Sequence, residues 1–326
     1  MPASHVRRQI YRDRILIIVG IKTYTSTQAN PLNFFREAYS LYRLKSGDIP
    51  GQVRGTIGYM RIFEKRIDDA IGMRLDGTRI LIVGPGQTPR EMVYLGCRNE
   101  VVGIDLDVIP QGWNLPAYAK MLRQNGMMRT IKTVARKGLG IDGRFIKELK
   151  RQLGITALPR TSHLQMDAAH MQFPDSSFDF VYSYSVFEHL PDPGAVIDEA
   201  VRVVKPGGGC YISLHLYSSE DGCHDLRLFS NDRADIPFWP HLRPNLEHLV
   251  HPNAYLNKVR LAEWMRIFKE KMPGVKFQFD SHEPEKAAML KAELATLRQQ
   301  HVLEDYSDEE LLAVNVIAIW RKDPIQ

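Results

Sequence analysis

Short, unbroken apolar runs alternate with amphipathic stretches from residue 79 to residue 214. Ile80-Leu81-Ile82-Val83, Val101-Val102-Gly103-Ile104, Phe178-Asp179-Phe180-Val181-Tyr182-Ser183 and Tyr211-Ile212-Ser213-Leu214 read as strands buried on both faces of a sheet. Leu164-Gln165-Met166-Asp167 reads as a shorter strand ending in an acidic residue. Helix signals separate them. Asp192 is placed to cap a helix whose first residue is Pro193 and whose apolar stripe is Val196, Ile197, Ala200, Val201 and Val204. Lys205-Pro206-Gly207-Gly208-Gly209 ends that helix and turns into the next strand. Alternating βα units predict an α/β fold with a parallel, doubly wound sheet.

The flanks extend this core. Residues 1–75 mix basic and aromatic positions in segments that read as mainly helical, such as Leu32–Leu44 and Arg54–Ile71, and form an expected extension laid over the core of residues 76–326. Residues 108–160 interrupt the alternation after the second strand. Apolar residues there recur at helical spacing (Ala119, Leu122; Ile131, Val134, Ala135; Phe145, Ile146, Leu149, Leu153), which predicts two or three amphipathic helices. Their charge is lopsided: Lys120, Arg123, Arg129, Lys132, Arg136, Lys137, Arg144, Lys147, Lys150, Arg151 and Arg160 face only Asp142 and Glu148. Such a face suits solvent, an anionic acceptor or peripheral contact with a membrane surface. Residues 215–256 are polar, histidine-rich and broken by Pro237, Pro240, Pro244 and Pro252. A helix around Lys258–Lys271, a strand at Val275–Phe279, a helix at Pro284–His301 and a strand at Val314–Trp320 close the chain and one sheet edge.

Composition narrows the setting. With 326 residues, 44% of them hydrophobic, the chain can bury a full core, and nothing approaches the roughly 20 apolar residues of a membrane span. The net charge of +5 is modest for this size. Cys97, Cys210 and Cys223 form no CxxC pair, so no disulfide framework is expected and the cytoplasm is the expected compartment.

The candidate chemistry begins at Arg79–Asp107. Gly84-Pro85-Gly86 follows its strand at once and lets a ligand approach the main chain. Thr88 and Pro89 suit the start of a helix, and Glu91 complements the positive end of its dipole. Asp105 ends the second strand at a spacing that suits a carboxylate gripping a ribose diol. The unit is nucleoside-binding, and Pro89 stands where a dinucleotide site would want its third glycine.

These motifs resemble the class I S-adenosylmethionine-dependent methyltransferases, in particular their small-molecule and glycan branch. ILIVGPG is similar to the family's glycine-rich motif and GIDLD to its ribose-binding motif; Leu164–Asp167 resembles the strand whose last residue reads the adenine amine. Phe173–Ser183, Phe187–Pro193 and Val203–Gly208 resemble its fourth-strand and later motifs. The resemblance implies a Rossmann-like, mostly parallel seven-stranded sheet, S-adenosylmethionine as cofactor, and cofactor contacts from Gly84, Pro85, Gly86, Asp105, Leu106, Asp167, Ala168 and Ser183. Ile82 departs from the family, which often has an acidic residue there, so another group is needed for the cofactor's amino end.

A hydroxyl acceptor calls for a general base. Candidates beyond the fifth strand are His215, His224 and His241, with Asp225 as an orienting partner for His224, while His189 is assigned to structural or cofactor-side duty. Trp239 and Arg243 are expected to wall the acceptor. Cys223-His224-Asp225 is not read as a metal site, because adjacent residues cannot enclose an ion. The reading is O-methylation of a small molecule, sugar or glycan intermediate. An RNA methyltransferase using the basic insertion is an alternative, against which stand the missing RNA-binding module and the missing proline-aromatic catalytic tetrad. A non-catalytic, cofactor-binding regulatory subunit is the other.

Overall fold

The computed structural model describes residues 48–87, 90–229, 236–252 and 254–324. The expected helix Leu32–Leu44 and the helix-starting Thr88 and Pro89 lie outside them. The first described element is helix α1 (Ile49–Ile71), which starts where the Asp48 side chain accepts from the Gly51 amide and Pro50 occupies the first turn, and ends at Gly72 in the left-handed region. Its buried stripe of Val53, Ile57, Met60, Phe63, Ile67 and Ala70 lies on the sheet. Phe63 is fully buried, edge-on to Phe180, Tyr182 and Tyr211 with ring centroids 6.0, 5.0 and 4.8 Å away.

Strands β1 (Arg79–Val83) and β2 (Glu100–Asp105) flank the short helix α2 (Arg90–Gly96). Three helices then fill the insertion: α3 (Leu115–Gln124), α4 (Met127–Gly138) and α5 (Ile141–Leu153). Their outer surface combines cations with exposed Leu115, Leu122, Met127, Ile131 and Leu139. Strand β3 (Arg160–Gln165) ends two residues before Asp167, because Asp167 turns its side chain back onto the Ala169 amide (2.9 Å), a local bond that competes with a strand ladder. Strand β4 (Phe178–Tyr184), helix α6 (Pro193–Val203) and strand β5 (Val204–His215) follow the expected pattern, with Asp192 accepting from the Ala195 amide at 3.0 Å. The chain closes with the one-turn helix α7 (Leu226–Phe229), α8 (Leu261–Lys271), β6 (Lys276–Ser281), α9 (Pro284–Gln299), α10 (Asp308–Leu312) and β7 (Ala313–Arg321).

The strands form one seven-stranded sheet in the order β3-β2-β1-β4-β5-β7-β6. All neighbours are parallel except those of β7, which runs antiparallel to both β5 and β6. One face packs on α1, α2 and α5, the other on α6 and α8. After β3 the chain crosses back to β4 on the far side of β1, so the carboxyl ends of β1 and β4 border the crevice where open α/β sheets bind ligands. No described helix is long and apolar enough to cross a membrane.

Candidate functional site

The glycine turn stands over the end of β1. Gly84 (φ 71°) donates to the Ile104 carbonyl at 2.9 Å, and a β-carbon there would lie 2.4 Å from a Val186 methyl. Gly86 (φ 65°) has open space where its β-carbon would be. Both conformations favour glycine. Pro85 packs beside Gly103, where a β-carbon would come within 2.8 Å of its ring.

Asp105 lies below this turn, half-buried at the end of β2. Its two oxygens accept from the Gly86 amide at 3.3 Å and the Asp107 amide at 2.8 Å. Burial pushes its pKa up to about 6, even though the Gly86 amide, the Arg129 guanidinium, which pairs with Asp107, and the Leu106 amide act against the rise. The carboxylate is therefore short of donors. Leu106 beside it is exposed.

Ala168 is buried, whereas Asp167 serves its own turn, accepting from Ala169 and meeting His170 Nδ1 at 3.2 Å. Ser183 is fully enclosed, its hydroxyl donating to the Val83 carbonyl at 3.1 Å, where it ties β4 to β1.

A cavity of about 350 Å³ opens between the glycine turn and β4, lined by Ile82, Gly84, Arg90, Glu91, Tyr182 and Tyr184 among others. Glu91 brings a carboxylate into it from the first turn of α2, and burial raises its pKa against the opposing influence of its own backbone amide and Arg90. It lines the same cavity as Ile82, the position where the sequence lacks an acid. In the sequence Glu91 shows only a helix-dipole role, because its place in the cavity depends on how α2 packs against the sheet.

The candidate histidines separate into two groups. His215, at the end of β5, is buried with Nε2 at 3.0 Å from Asp221 Oδ1 and 2.9 Å from Ser219 Oγ. Its ring lies 4.9 Å from that of His224, which lies 4.9 Å from that of His189. Burial, followed by the neighbouring charges of His215 and His189, lowers the His224 pKa to about 3. Asp221 is held well below the usual carboxylate range: burial would raise it, but the hydrogen bond and charge of His215, with Lys286 and His282, prevail. His241 stands apart, donating from Nε2 to the Tyr217 carbonyl at 2.7 Å, with burial lowering its pKa to about 4. It lines a second cavity of about 260 Å³ with Tyr217, Cys223, Glu247, Leu256 and Lys258.

Three expectations are corrected. Asp225 does not orient His224: its carboxylate is taken up by Arg227 Nε (3.0 Å) and Nη2 (2.6 Å) and by the His251 amide (2.8 Å). The carboxylate of this cluster is Asp221, on His215. Trp239 does not wall an acceptor; it is fully buried at φ 47° in a separate core with Leu290, Leu294, Leu297, Leu303 and Leu311. Arg243 folds back onto the Phe238 carbonyl at 3.4 Å and lines neither cavity described above.

The doubly wound sheet is a Rossmann-like α/β fold, with the glycine turn and Asp105 together at the ends of β1 and β2. Residues 119–212 match the methyltransferase domain family. The matched stretch runs from α3 into β5 and leaves out the glycine turn. The chain is 30% identical over 109 residues to 2-methyl-6-phytyl-1,4-hydroquinone methyltransferase of Synechocystis, covering 32% of this chain and 31% of that one. It is 45% identical over 153 residues to the sterol 24-C-methyltransferase of Aspergillus fumigatus, covering 35% and 41%. These matches thus span less than half the length of either relative. Among solved structures, phosphoethanolamine N-methyltransferase 2 of Haemonchus contortus in complex with S-adenosyl-L-methionine aligns over 80% of this chain and 52% of that one, at 16% identity and a TM-score of 0.43.

Proposed function

We propose that this protein is an enzyme that transfers a methyl group from S-adenosylmethionine to a hydroxyl of a small molecule, sugar or glycan intermediate. The observation that carries the cofactor is Asp105: a half-buried carboxylate raised to about 6 by burial, beneath a glycine turn with open space beside it, lacks the donors that a ribose diol supplies. When bound, S-adenosylmethionine supplies an electrophilic sulfonium methyl. Asp105 then accepts from the ribose diol, Gly84, Pro85 and Gly86 leave room for the amino-acid end, and Ala168, with Asp167 fixing its turn, borders the adenine. The hydroxyl reading is supported by His215, whose pairing with Asp221 favours Nε2–H as donor and gives the other ring nitrogen the acceptor role toward a proton.

Calorimetric titration of the full chain with S-adenosylmethionine tests the cofactor assignment. Asp105→Ala should weaken binding by about 10- to 100-fold, the loss expected for charge-assisted hydrogen bonds. The apo protein should not lose thermal stability. A folded-state pKa raised above the unfolded value means that ionisation opposes folding as pH rises through that interval, and alanine removes the opposition at pH 7. Unchanged affinity would remove Asp105 from the site.

Glu91 is assigned the duty left open by Ile82, accepting from the cofactor's ammonium group. Glu91→Gln should weaken S-adenosylmethionine by about tenfold or more while leaving the neutral side chain equally well packed. Adenosine, which lacks the ammonium group, should bind the variant and the parent alike. A parallel loss for adenosine would show that Glu91 acts only through the shape of the turn.

A further inference from the structure

We infer that Glu188, His189 and His224 form a binding site for one divalent transition-metal ion on the acceptor side of the crevice. One ligand atom from each of the three lies within 4.8 Å of the others. Glu188 and His189 sit in the 3-10 turn Phe187–His189 that follows β4, and His224 comes from the loop after β5, so two neighbouring strands deliver the set from separate parts of the chain. The turn adjoins the glycine loop, because Val186, just before it, is the side chain against Gly84.

The independent observation is Glu188. Its residue is 2% exposed, and among the described residues neither carboxylate oxygen makes a hydrogen bond. Buried carboxylates are paired, hydrogen-bonded or metal-bound, since an uncompensated one is strongly unfavourable. No cation side chain of Lys or Arg forms an ion pair with it among the described residues. A metal ion held by the same carboxylate and two imidazoles supplies the missing positive charge.

The imidazoles are prepared for this role. His189 has Nδ1 at 2.7 Å from the Tyr255 carbonyl, a bond that fixes Nδ1–H as the donor and Nε2 as the ligand, as outer partners do for metal-bound histidines. His224 is held at φ 55°, backbone strain of a kind that clusters at ligand-binding positions. Two nitrogens and one oxygen suit zinc, manganese, cobalt or iron rather than magnesium or calcium, which prefer all-oxygen sets. Three protein ligands leave open positions, the arrangement of a metal that receives a substrate.

The use of the ion rests on the methyl-transfer reading; its binding does not. An acceptor hydroxyl placed in an open position would have its pKa lowered. A carbon–oxygen bond then forms as the sulfonium's carbon–sulfur bond breaks, the neutral thioether leaves, and the hydroxyl proton passes to the His215–Asp221 pair. Acceptors with two adjacent oxygens, a catechol or a vicinal diol, fit two open positions together.

The test uses Co²⁺ as the probe on the full chain after treatment with a chelator, with no cofactor or acceptor present. One Co²⁺ per chain is expected, with the visible absorption of a nitrogen-ligated site of low coordination number. Glu188→Gln and His224→Ala should each weaken Co²⁺ by at least about tenfold. His301→Ala, which alters an exposed histidine remote from the cluster in sequence and paired with Glu304, should bind as the parent does and reports any adventitious surface binding. Far- and near-ultraviolet circular dichroism matching the parent shows that the variants are folded. Co²⁺ uptake well below one per chain, or uptake unchanged in Glu188→Gln and His224→Ala, overturns the site. If Co²⁺ binds and S-adenosylmethionine does not, the metal site stands and the methyltransferase reading falls. If both bind and chelation leaves methyl transfer intact, the ion is structural and its proposed use is overturned.

Discussion

Methyl transfer should fall by about 10²- to 10⁴-fold when His215 is replaced by alanine, while S-adenosylmethionine affinity stays within about twofold of the parent. The histidine stands at the carboxyl end of β5, where its register opposite Asn315 of β7 fixes the backbone, and its ring is held between Ser219 and Asp221. A ring so constrained is already oriented before an acceptor arrives, and that orientation is what a general base contributes beyond its basicity. Asp221→Asn keeps the shape and removes the charged acceptor that favours the right tautomer. Its loss should therefore lie in kcat rather than KM. His241→Ala provides the contrast, since its Nε2 is committed to the Tyr217 carbonyl and its ring faces a different cavity. The measurement is transfer of a radiolabelled methyl group to catechol, phenol and sugar acceptors, followed for each variant at saturating cofactor. A His215→Ala enzyme with an unchanged rate would end its assignment as the base.

How far the sequence revealed this site follows from the reach of each interaction. The strand-turn-strand unit around Gly84 and Asp105 is local: an apolar run, two glycines with positive φ and a carboxylate at the end of the next strand are all set within Arg79–Asp107, and the structure repeats the pattern. The α6 start at Asp192 and Pro193 is local too. Pairings that depend on the path of a loop were not legible. His224 and Asp225 are adjacent in the chain, yet the loop turns through positive φ at His224, and Asp225 is claimed by Arg227 and the His251 amide. Asp221 reaches His215 across a chain of turns instead. Trp239 looked like an exposed wall because it sits in a proline-rich loop, but the hydrophobic face of α9 buries it. Glu188 belongs to a recurrent motif, and nothing in that motif tells that its carboxylate makes no hydrogen bond among the described residues. The third strand misled by two residues, since Asp167 satisfies a neighbouring amide and ends the ladder early.

Phe63→Ala should destabilise the protein by about 3–5 kcal/mol, the range for removing a fully buried aromatic ring, read as a lower urea midpoint at constant slope. The ring is the contact through which α1 grips the sheet, edge-on to Phe180 and Tyr182 on β4 and to Tyr211 on β5. Tyr182 and Tyr211 are themselves stacked at 5.7 Å, so an empty site beneath them loosens both strands at once. Phe63→Leu, which refills part of the volume, should recover more than half of the loss. The effect should reach the cofactor, because Tyr182 and Tyr184 line the cavity that holds Glu91. Under conditions where Phe63→Ala remains folded, S-adenosylmethionine should therefore bind more weakly, whereas Asp105 and its glycine turn, held by β1 and β2, keep adenosine affinity near that of the parent. If α1 were only a separable cover, the substitution would speed amide exchange in α1 and leave the main urea transition in place. The ion pair from Arg66 to Asp280 on β6 argues against separability, since it ties the same helix to the far edge of the sheet.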